Sequence, residues 1–328
     1  MNEAEDRDGR HRPHLPHSPQ RLHARRAQRR RVYRRRRIAL GTVVAVVVVA
    51  VIVVLAPAGS RSRERPRASV EISARVRTHG PTHKNSDPHP LAQARERESP
   101  AQERETNRHI LSYTSYISLG TPRKREVALT FDDGPSPYTP AVLSVLERFH
   151  VKATFFEIGR NVRTYPQFTA KLAKAGMVIG DHTEVHPPMA MLAASAQAAQ
   201  IDEAADAIQD AGAPRPLLFR PPYGSFNSAT LALLRERDMV MVLWAVDTSD
   251  YAQPGIQQII YTALSGAQPG AVILFHDGGG DRAETVAALP HIVERLRQRG
   301  YRLVTVPELL RDDPPPLDQA APVNLSGD

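Results

Sequence analysis

Two adjacent carboxylates, Asp132 and Asp133, stand where an apolar, β-branched run gives way to Gly134-Pro135. The preceding residues 126–131 alternate as a strand does, and Gly-Pro is typical of a turn. Neighbouring side chains on a strand point to opposite faces, so the two acids cannot simply duplicate each other. A capped turn would account for one acid but not for both. We therefore expect the two carboxylates to have different roles.

Two histidines, His182 and His186, stand four residues apart. This spacing lets two imidazoles face one metal ion from a helical turn or a tight loop, although such pairs also arise often by chance. A carboxylate from the Asp132–Asp133 pair would complete a His₂-carboxylate set with open positions, the donor set of a hydrolytic zinc-type site. The other aspartate would then be free to act as a general base on water.

Arg220 and His276 also follow predicted strands and bear on this chemistry. Arg220 would orient the base through a charge-assisted hydrogen bond, or else form an ordinary surface ion pair. His276 offers a protonated imidazole for a leaving group, and Asp247 or Asp250 would hold it in that state. Without such partners, His276 is a structural histidine at a strand end.

The segments that must position these groups alternate between short apolar strands and helices. Strands are predicted at 126–131, 153–158, 177–180, 216–219, 239–246, 271–275 and 301–306. Strands that alternate with helices predict an α/β domain of parallel strands, either an open sheet or a barrel. Both architectures place the site at the carboxyl ends of the strands, where five of these strands are followed by polar residues. We expect all five polar sets on one rim.

These five segments resemble the motifs of the polysaccharide deacetylase family, the NodB-homology group also called carbohydrate esterase family four. They are TFDDGP, HTEVH, FRPPYG, DTSDY and ILFHD, in that order. The resemblance covers about 124–310 and implies an irregular, incomplete (β/α) barrel of about seven parallel strands. It also implies a metal-dependent enzyme that removes acetyl groups from a polysaccharide.

The resemblance assigns the catalytic groups one by one. Asp132 matches the catalytic base and Arg220 the residue that pairs with it. His276 matches the general acid and Asp250 the carboxylate that tunes it. The implied metal ligands are Asp133, His182 and His186. The implied ion is divalent, Zn²⁺ first and Co²⁺ as the alternative.

The resemblance also places residues around the substrate. Tyr223 matches the position whose backbone N–H helps to hold the oxyanion, and Pro222 precedes it. Trp244 and Leu274 would line the pocket for the acetyl methyl group. Tyr251 stands where the family usually has Trp, which would alter the wall that faces the sugar.

A second departure from the family pattern is Asp181, which stands where the family often has Asn. Its carboxylate would either accept the N–H of an imidazole or add negative charge near the metal. Neither departure removes a ligand, the base or the acid, so we expect an active enzyme.

The basic charge of the chain lies outside the predicted catalytic domain. The 328 residues carry a formal net charge of +8, yet residues 124–310 hold 17 Lys plus Arg against 20 Asp plus Glu. Ten arginines between 21 and 37 precede the uncharged segment 38–56. At about 1.5 Å per residue that segment spans the roughly 30 Å of a hydrocarbon core. An arginine cluster beside a membrane helix is an orientation signal, so we expect membrane association and no nucleic-acid binding.

We therefore expect residues 1–37 to be a basic cytoplasmic arm and 38–56 an uncleaved, single-pass signal-anchor, because the arginine-rich side stays inside. The alternative is secretion after cleavage near Ala58, in the small-residue sequence APA. Residues 57–123 lack apolar periodicity and predict a disordered linker. Residues 311–328 are expected to be a flexible tail. The chain has no cysteine, which excludes disulfides and thiolate metal ligands.

The expected substrate follows from the extracytoplasmic position of the domain. A cell-wall or capsular polymer of N-acetylhexosamines, such as peptidoglycan, would lie within its reach. Chitin fragments and O-acetylated xylan are alternatives, the latter for an O-acetyl esterase with the same residues. A membrane-anchored glycan-binding module without activity is the remaining alternative.

Overall fold

The computed structural model describes residues 99–320. The predicted arm 1–37, the predicted signal-anchor 38–56 and most of the predicted linker lie outside the described residues, as do the last eight residues. Among residues 99–320, none of the helices has the length and apolar character needed to cross a membrane.

Parallel strands alternate with helices along the described chain. The strands are β1 Tyr116–Ile117, β2 Glu126–Gly134, β3 Thr154–Glu157, β4 Val178–Asp181, β5 Leu218–Phe219, β6 Val240–Val242, β7 Val246–Asp247, β8 Ala271–His276 and β9 Arg302–Val304. The α-helices are α1 Pro100–Leu111, α2 Thr139–Arg148, α3 Gly159–Thr164, α4 Pro166–Lys174, α5 Ala194–Asp210, α6 Ser228–Glu236, α7 Ile256–Gly266, α8 Ala283–Gln298 and α9 Val306–Asp312. Single 3₁₀ turns occupy Met189–Met191, Pro222–Gly224 and Asp250–Ala252.

The strands form one sheet in the order β1-β6-β5-β4-β3-β2-β8-β7, with β9 paired to the beginning of β2. Every strand pair is parallel. The single strand predicted at 239–246 is wrong, because it is two strands, β6 and β7, which lie towards opposite ends of this order. Four Cα steps of 3.8 Å separate Val242 from Val246, so the two strands lie within about 15 Å of each other. The sheet is therefore curled into a half-barrel, which confirms the predicted incomplete barrel. The predicted number of about seven strands is too low for the described residues, which form nine, because β1 lies in the predicted linker and 239–246 is two strands.

Arg220 explains why the chain leaves the sheet between β6 and β7. Its guanidinium donates to the carbonyl oxygens of Val242 and Leu243, at 3.0 and 3.2 Å. A carbonyl that accepts from a buried guanidinium is satisfied without a neighbouring strand. The strand therefore breaks where Arg220 binds these two carbonyl oxygens, and no residue pattern around 242–246 indicates the position of the break.

The predicted linker is wrong for residues 99–123. Helix α1 begins at Pro100 and is capped by Ser99, whose side chain forms a reciprocal capping box with Gln102. Its end buries Ile110 and Leu111, which are 1% and 4% exposed, in the same apolar cluster as residues of α9. The helix escaped prediction because its only buried residues are Asn107, Ile110 and Leu111, too few for a visible apolar stripe.

The predicted flexible tail is wrong for the part of 311–328 that is described. The backbone N–H of Thr121 donates to Pro314 O at 3.1 Å. Gln319 Nε2 donates to Thr114 Oγ1 at 2.8 Å. Residues just before β2 are thus bonded to residues that follow α9, and the domain extends beyond the predicted limits 124–310 on both sides.

Candidate active site

A β-bulge brings both adjacent carboxylates to the rim. Asp132 pairs with Phe156 of β3, but the next residue in register with β3 is Gly134, which pairs with Glu157. Asp133 is the extra residue, with a left-handed φ of 70°. A bulge re-aims a side chain that regular alternation would send to the other face. The two carboxylates therefore reach one site from different directions, and their environments differ.

Asp132 is held by a fully buried arginine. Arg220 Nη1 donates to Asp132 Oδ1 at 2.7 Å and to Thr130 Oγ1 at 2.9 Å. The guanidinium also lies over the Phe156 ring, 4.2 Å from its centroid. Charge-assisted hydrogen bonds of this kind fix the orientation of a carboxylate. Asp132 Oδ1 is therefore held by Arg220, and Oδ2 is directed to the site. Arg220 is a partner of Asp132 and is not the surface ion pair of the alternative interpretation.

Asp133, His182 and His186 lie together as three metal-binding donors. Their ligand atoms all fall within 4.8 Å of one another. Asp133 Oδ1 is 3.2 Å from His186 Nε2 and 3.6 Å from His182 Nε2. The predicted triad is thus assembled in space, from the end of β2 and the loop after β4.

The loop that carries the two histidines is fastened by hydrogen bonds. Asp181 Oδ1 accepts from the Thr183 N–H at 2.7 Å, and Thr183 Oγ1 accepts from the His186 N–H at 3.0 Å. Thr183 and His186 both have positive φ angles, 68° and 63°. Asp181 therefore shapes the loop, and burial raises its pKa well above the usual range. Its observed hydrogen bond is to a backbone N–H and not to an imidazole.

The tautomer of His182 suits a metal ligand. Its Nδ1 lies 2.7 Å from the carbonyl oxygen of Arg220, which can only accept, so Nδ1 carries the proton. The lone pair of Nε2 then faces Asp133. Burial lowers the pKa of His182 to about 4, which keeps the imidazole neutral at pH 7.

The donor set passes a direct test for a cation. Asp133 Oδ1 is buried and accepts no hydrogen bond within the described residues. Its polar neighbours are the Nε2 atoms of His186 and His182, and a carboxylate oxygen grouped with two imidazole nitrogens is the arrangement that a cation between them stabilises. Two imidazole nitrogens and one carboxylate oxygen are ligands that Zn²⁺ accepts, with positions left for water and substrate. The residues therefore fit a divalent metal ion.

His276 lies beside Asp132. It ends β8 directly in register with Asp132 on β2, so both side chains leave the same face of neighbouring strands. Asp250 accepts from His276 Nδ1 at 2.7 Å and from the His276 N–H at 2.9 Å. Burial alone would lower the pKa of His276, but the hydrogen bond and charge of Asp250 outweigh it and the pKa is raised. With Nδ1 engaged by Asp250, Nε2 is the ring nitrogen left able to give a proton.

Of the two aspartates left open as partners of His276, the structure selects Asp250. Asp247 Oδ1 instead accepts from the Ser249 N–H at 2.7 Å, within its own turn. Thr285 donates to Asp250 Oδ2 at 2.7 Å and completes the support of the acid. Thr285 lies on α8 outside every motif, and its residue type carries no signal that would have identified it.

The predicted substrate residues flank the two histidines His186 and His276. The Tyr223 ring is 59% exposed and meets the His186 ring edge-on, with 4.6 Å between centroids. The Tyr251 ring is 52% exposed and lies 5.3 Å from that of His276. Pro222 and Leu274 are buried, and Trp244 is half-buried with its ring 5.7 Å from the Arg220 guanidinium. The rim thus has an exposed aromatic ring on the metal-binding side and another on the acid side.

One rim of the curled parallel sheet thus carries an aspartate able to act as a base, a histidine able to act as an acid, and three side chains able to bind a metal ion, which are groups that hydrolases use. A family model for polysaccharide deacetylases matches residues 119–242. A peptidoglycan-N-acetylglucosamine deacetylase of Bacillus cereus is 39% identical over 213 residues, which cover 62% of this chain and 97% of that protein. A chitooligosaccharide deacetylase of Bradyrhizobium sp. is 35% identical over 199 residues, 56% of this chain and 90% of that protein.

A solved structure agrees with this match. A crystal structure of a peptidoglycan N-acetylglucosamine deacetylase in complex with an N-hydroxybenzamide compound aligns with a TM-score of 0.60 at 34% identity, over 63% of this chain and 97% of that one. The chain belongs to the polysaccharide deacetylase family, the NodB-homology group or carbohydrate esterase family four. It is a deacetylase of the hydrolase class, which confirms that prediction.

Proposed function

We propose that this protein is a metal-dependent N-deacetylase that acts outside the cytoplasmic membrane on an N-acetylglucosamine-containing wall polymer, with peptidoglycan as the first candidate, and releases acetate. The observation that carries the proposal is the pairing of Asp132 with His276. The two are in register on neighbouring strands, and each is held by its own buried partner, Arg220 and Asp250. A base and an acid on one face can serve the two proton transfers of amide hydrolysis.

Asp132 acts as the general base. Its Oδ2 is directed towards the site, while Oδ1 accepts from Arg220. The carboxylate takes the proton of the attacking water as the bond to the acetyl carbon forms. Arg220 keeps the carboxylate in the orientation that this transfer needs.

Asp133, His182 and His186 would hold the metal ion. When bound, a divalent ion polarises the acetyl carbonyl and lowers the pKa of water, with Zn²⁺ as the first candidate and Co²⁺ as the alternative. Tyr223, whose φ of 61° places it in a left-handed turn, donates its backbone N–H to the oxyanion that develops on that carbonyl. Trp244 and Leu274 receive the acetyl methyl group.

His276 acts as the general acid. Its Nδ1 is engaged by Asp250, so Nε2 gives a proton to the nitrogen of the leaving sugar amine. An amine leaves an amide only when it is protonated, whereas the alcohol of an ester needs less help. The hydrogen bonds that hold His276 through Asp250 and Thr285 therefore favour the N-deacetylase over the O-acetyl esterase.

The substrate and the location belong together in this proposal. The relatives named above act on peptidoglycan and on chitooligosaccharides, as their names state. The arginine-rich arm before residues 38–56 would stay in the cytoplasm, with 38–56 as an uncleaved anchor and the domain outside. Secretion after cleavage near Ala58 would place the domain on the same side of the membrane.

Acetate release is the test of the activity. The purified chain is stripped of metal with a chelator, dialysed, and supplied with Zn²⁺, Co²⁺ or Mg²⁺ before assay on peptidoglycan, chitooligosaccharides and O-acetylated xylan. We expect acetate from the N-acetylated glycans after Zn²⁺ or Co²⁺ is restored, and little before. Full activity in the metal-free protein would rule out the metal, and release from xylan alone would favour the esterase.

Protease accessibility tests the location. Cells freed of their wall are treated with protease, and fragments are detected with antibodies to the N-terminal arm and to the catalytic domain. We expect the domain to be degraded and the arm to be protected. A protected domain would exclude a wall substrate.

A further inference from the structure

The glycine-rich turn after β8, residues 277–281, lies so close to Asp133 that Gly278 and Gly279 have no room for a side chain of their own. A Cβ atom on Gly279 would lie 2.4 Å from Asp133 Oδ2, and one on Gly278 would lie 2.0 Å from the Asp133 carbonyl oxygen. Distances under about 3 Å to a Cβ atom are not tolerated, so something must move if a methyl group is added. The turn therefore forms a wall directly behind Asp133.

The same aspartate is also held by Asn161 of α3. Asn161 Nδ2 donates to the Asp133 carbonyl oxygen at 2.9 Å. Asp133 has a φ of 70°, a conformation that needs support from its surroundings in a residue other than glycine. Helix α3 and the glycine turn thus both contact the bulged residue.

The two oxygens of the Asp133 carboxylate have different neighbours. Oδ1 faces the imidazoles of His182 and His186, whereas Oδ2 faces the backbone of Gly279. Rotation of the carboxylate about its own bond would exchange or displace the two atoms. The wall behind Oδ2 therefore determines where Oδ1 points.

We propose that Gly279 and Asn161 are positioning residues for the metal site, which together set the direction of Asp133 Oδ1. Gly279 lies against the other carboxylate oxygen, Oδ2, and Asn161 holds the Asp133 backbone carbonyl. This inference rests on the proposed function, since it assumes that Asp133 binds the ion. Neither residue belongs to the segments on which the family resemblance rests, and neither touches the His186 or His182 ring in the described contacts. Their effect on the ion passes through Asp133 alone.

Gly278 and Gly279 are expected to respond differently to an added methyl group. At Gly278 the methyl group meets the backbone of Asp133, which cannot give way without disturbing the sheet. At Gly279 it meets the end of a side chain, so the carboxylate itself is what moves. Gly279→Ala should therefore weaken metal binding, whereas Gly278→Ala should damage folding.

Gly280 is a matched control in the same turn. Both residues have φ angles that L-amino acids rarely adopt, 74° for Gly279 and 142° for Gly280, so alanine is strained at each. A Cβ on Gly280 has Arg282 Nη2 as its nearest neighbour, at 3.5 Å, and meets no atom of Asp133. Alanine is therefore strained at both positions, more so at 142°, which lies outside the left-handed region open to L-residues, and only the Gly279 variant meets Asp133.

The experiment measures Zn²⁺ affinity of the purified full chain by competition with a chromogenic chelator, together with thermal unfolding of the metal-free protein. We expect Gly279→Ala to bind Zn²⁺ about 10- to 100-fold more weakly than Gly280→Ala, the usual range for residues behind a metal ligand. Metal-free Gly279→Ala should unfold at a temperature no lower than that of metal-free Gly280→Ala, so that its weaker Zn²⁺ binding is not a folding defect. Acetate release by Gly279→Ala should recover as Zn²⁺ is raised, which a general folding defect would not permit.

Asn161→Ala is the second variant, with an expected loss of about 3- to 10-fold in Zn²⁺ affinity because one hydrogen bond is removed. If Gly279→Ala does not fold, the Zn²⁺ affinity of Asn161→Ala alone tests the inference. Unchanged affinity in Asn161→Ala and in any folded Gly279→Ala, with normal binding by the wild type, would overturn this inference alone. A wild-type chain that binds no Zn²⁺ would instead overturn the proposed function, and this inference with it.

Discussion

On the metal-binding side of the rim, Asp133, Thr183 and His186 all have positive φ angles, whereas His276 on the other side continues a regular strand. The metal-binding donors are directed by unusual backbone conformations, which the bulge in β2 and the bonded loop after β4 maintain. His276 is directed by two successive hydrogen bonds, one from Thr285 to Asp250 and one between Asp250 and His276 Nδ1. Changes on the first side should therefore alter ion binding, and changes on the second should alter the pH profile.

The largest effect is expected on the metal-binding side. Asp133→Asn keeps the shape of the side chain but removes the charge that a divalent ion needs, so Zn²⁺ content and turnover should fall together to background. Elemental analysis of the purified variant and acetate release measure the two quantities. A variant that retains stoichiometric Zn²⁺ would show that Asp133 is not a ligand.

Asp132→Asn separates the base from the ligand beside it. The variant should keep its Zn²⁺ and lose turnover by about 10²- to 10⁴-fold, because an amide cannot take the proton from water. Parallel measurement with Asp133→Asn makes each variant the control for the other. Loss of metal in both would mean that the two carboxylates share one role.

Asp250→Asn should change the pH profile and leave the ion in place. The acid works only while protonated, so wild-type activity should fall as pH rises through the raised pKa of His276. Removing the Asp250 charge lowers that pKa, and the alkaline limb of kcat should move about 1–2 pH units lower. The rate at a fixed neutral pH falls accordingly.

Asp247→Asn is the control for this shift, since Asp247 bonds within its own turn. It should leave the alkaline limb where it is in the wild type. A limb that stays in place in Asp250→Asn as well would remove His276 from the role of acid.

The smallest effect is expected at the exposed ring on the acid side. Tyr251→Ala should raise KM about 2- to 10-fold, the equivalent of an aromatic contact of about 0.5–1.5 kcal/mol, with Zn²⁺ content unchanged. Tyr251→Phe keeps the ring and should behave as the wild type does. If the phenylalanine variant has the defect of the alanine variant, the hydroxyl rather than the ring contacts the sugar.

The chemical groups of the rim could be predicted because each stands at the end of a strand. Parallel strands bring their carboxyl ends to one edge, so Asp132, His182 and His276 needed only a correct strand pattern to be placed together. Helix α1 could not be predicted in this way, because it turns only a short apolar end, Ile110 and Leu111, to the core. The break between β6 and β7 depends on Arg220, which is distant in sequence.

The sequence by itself determined which residues are able to bind an ion, take a proton or give one, since these abilities belong to the side chains. Only the tertiary structure decided that Asp133 is turned by a bulge to share the rim with Asp132, and that Asp250 rather than Asp247 supports His276. It also placed Thr285, Asn161 and Gly279 behind these groups. The physical reason is that the direction of a side chain depends on φ angles and on contacts between segments far apart in the chain, which local residue patterns do not encode.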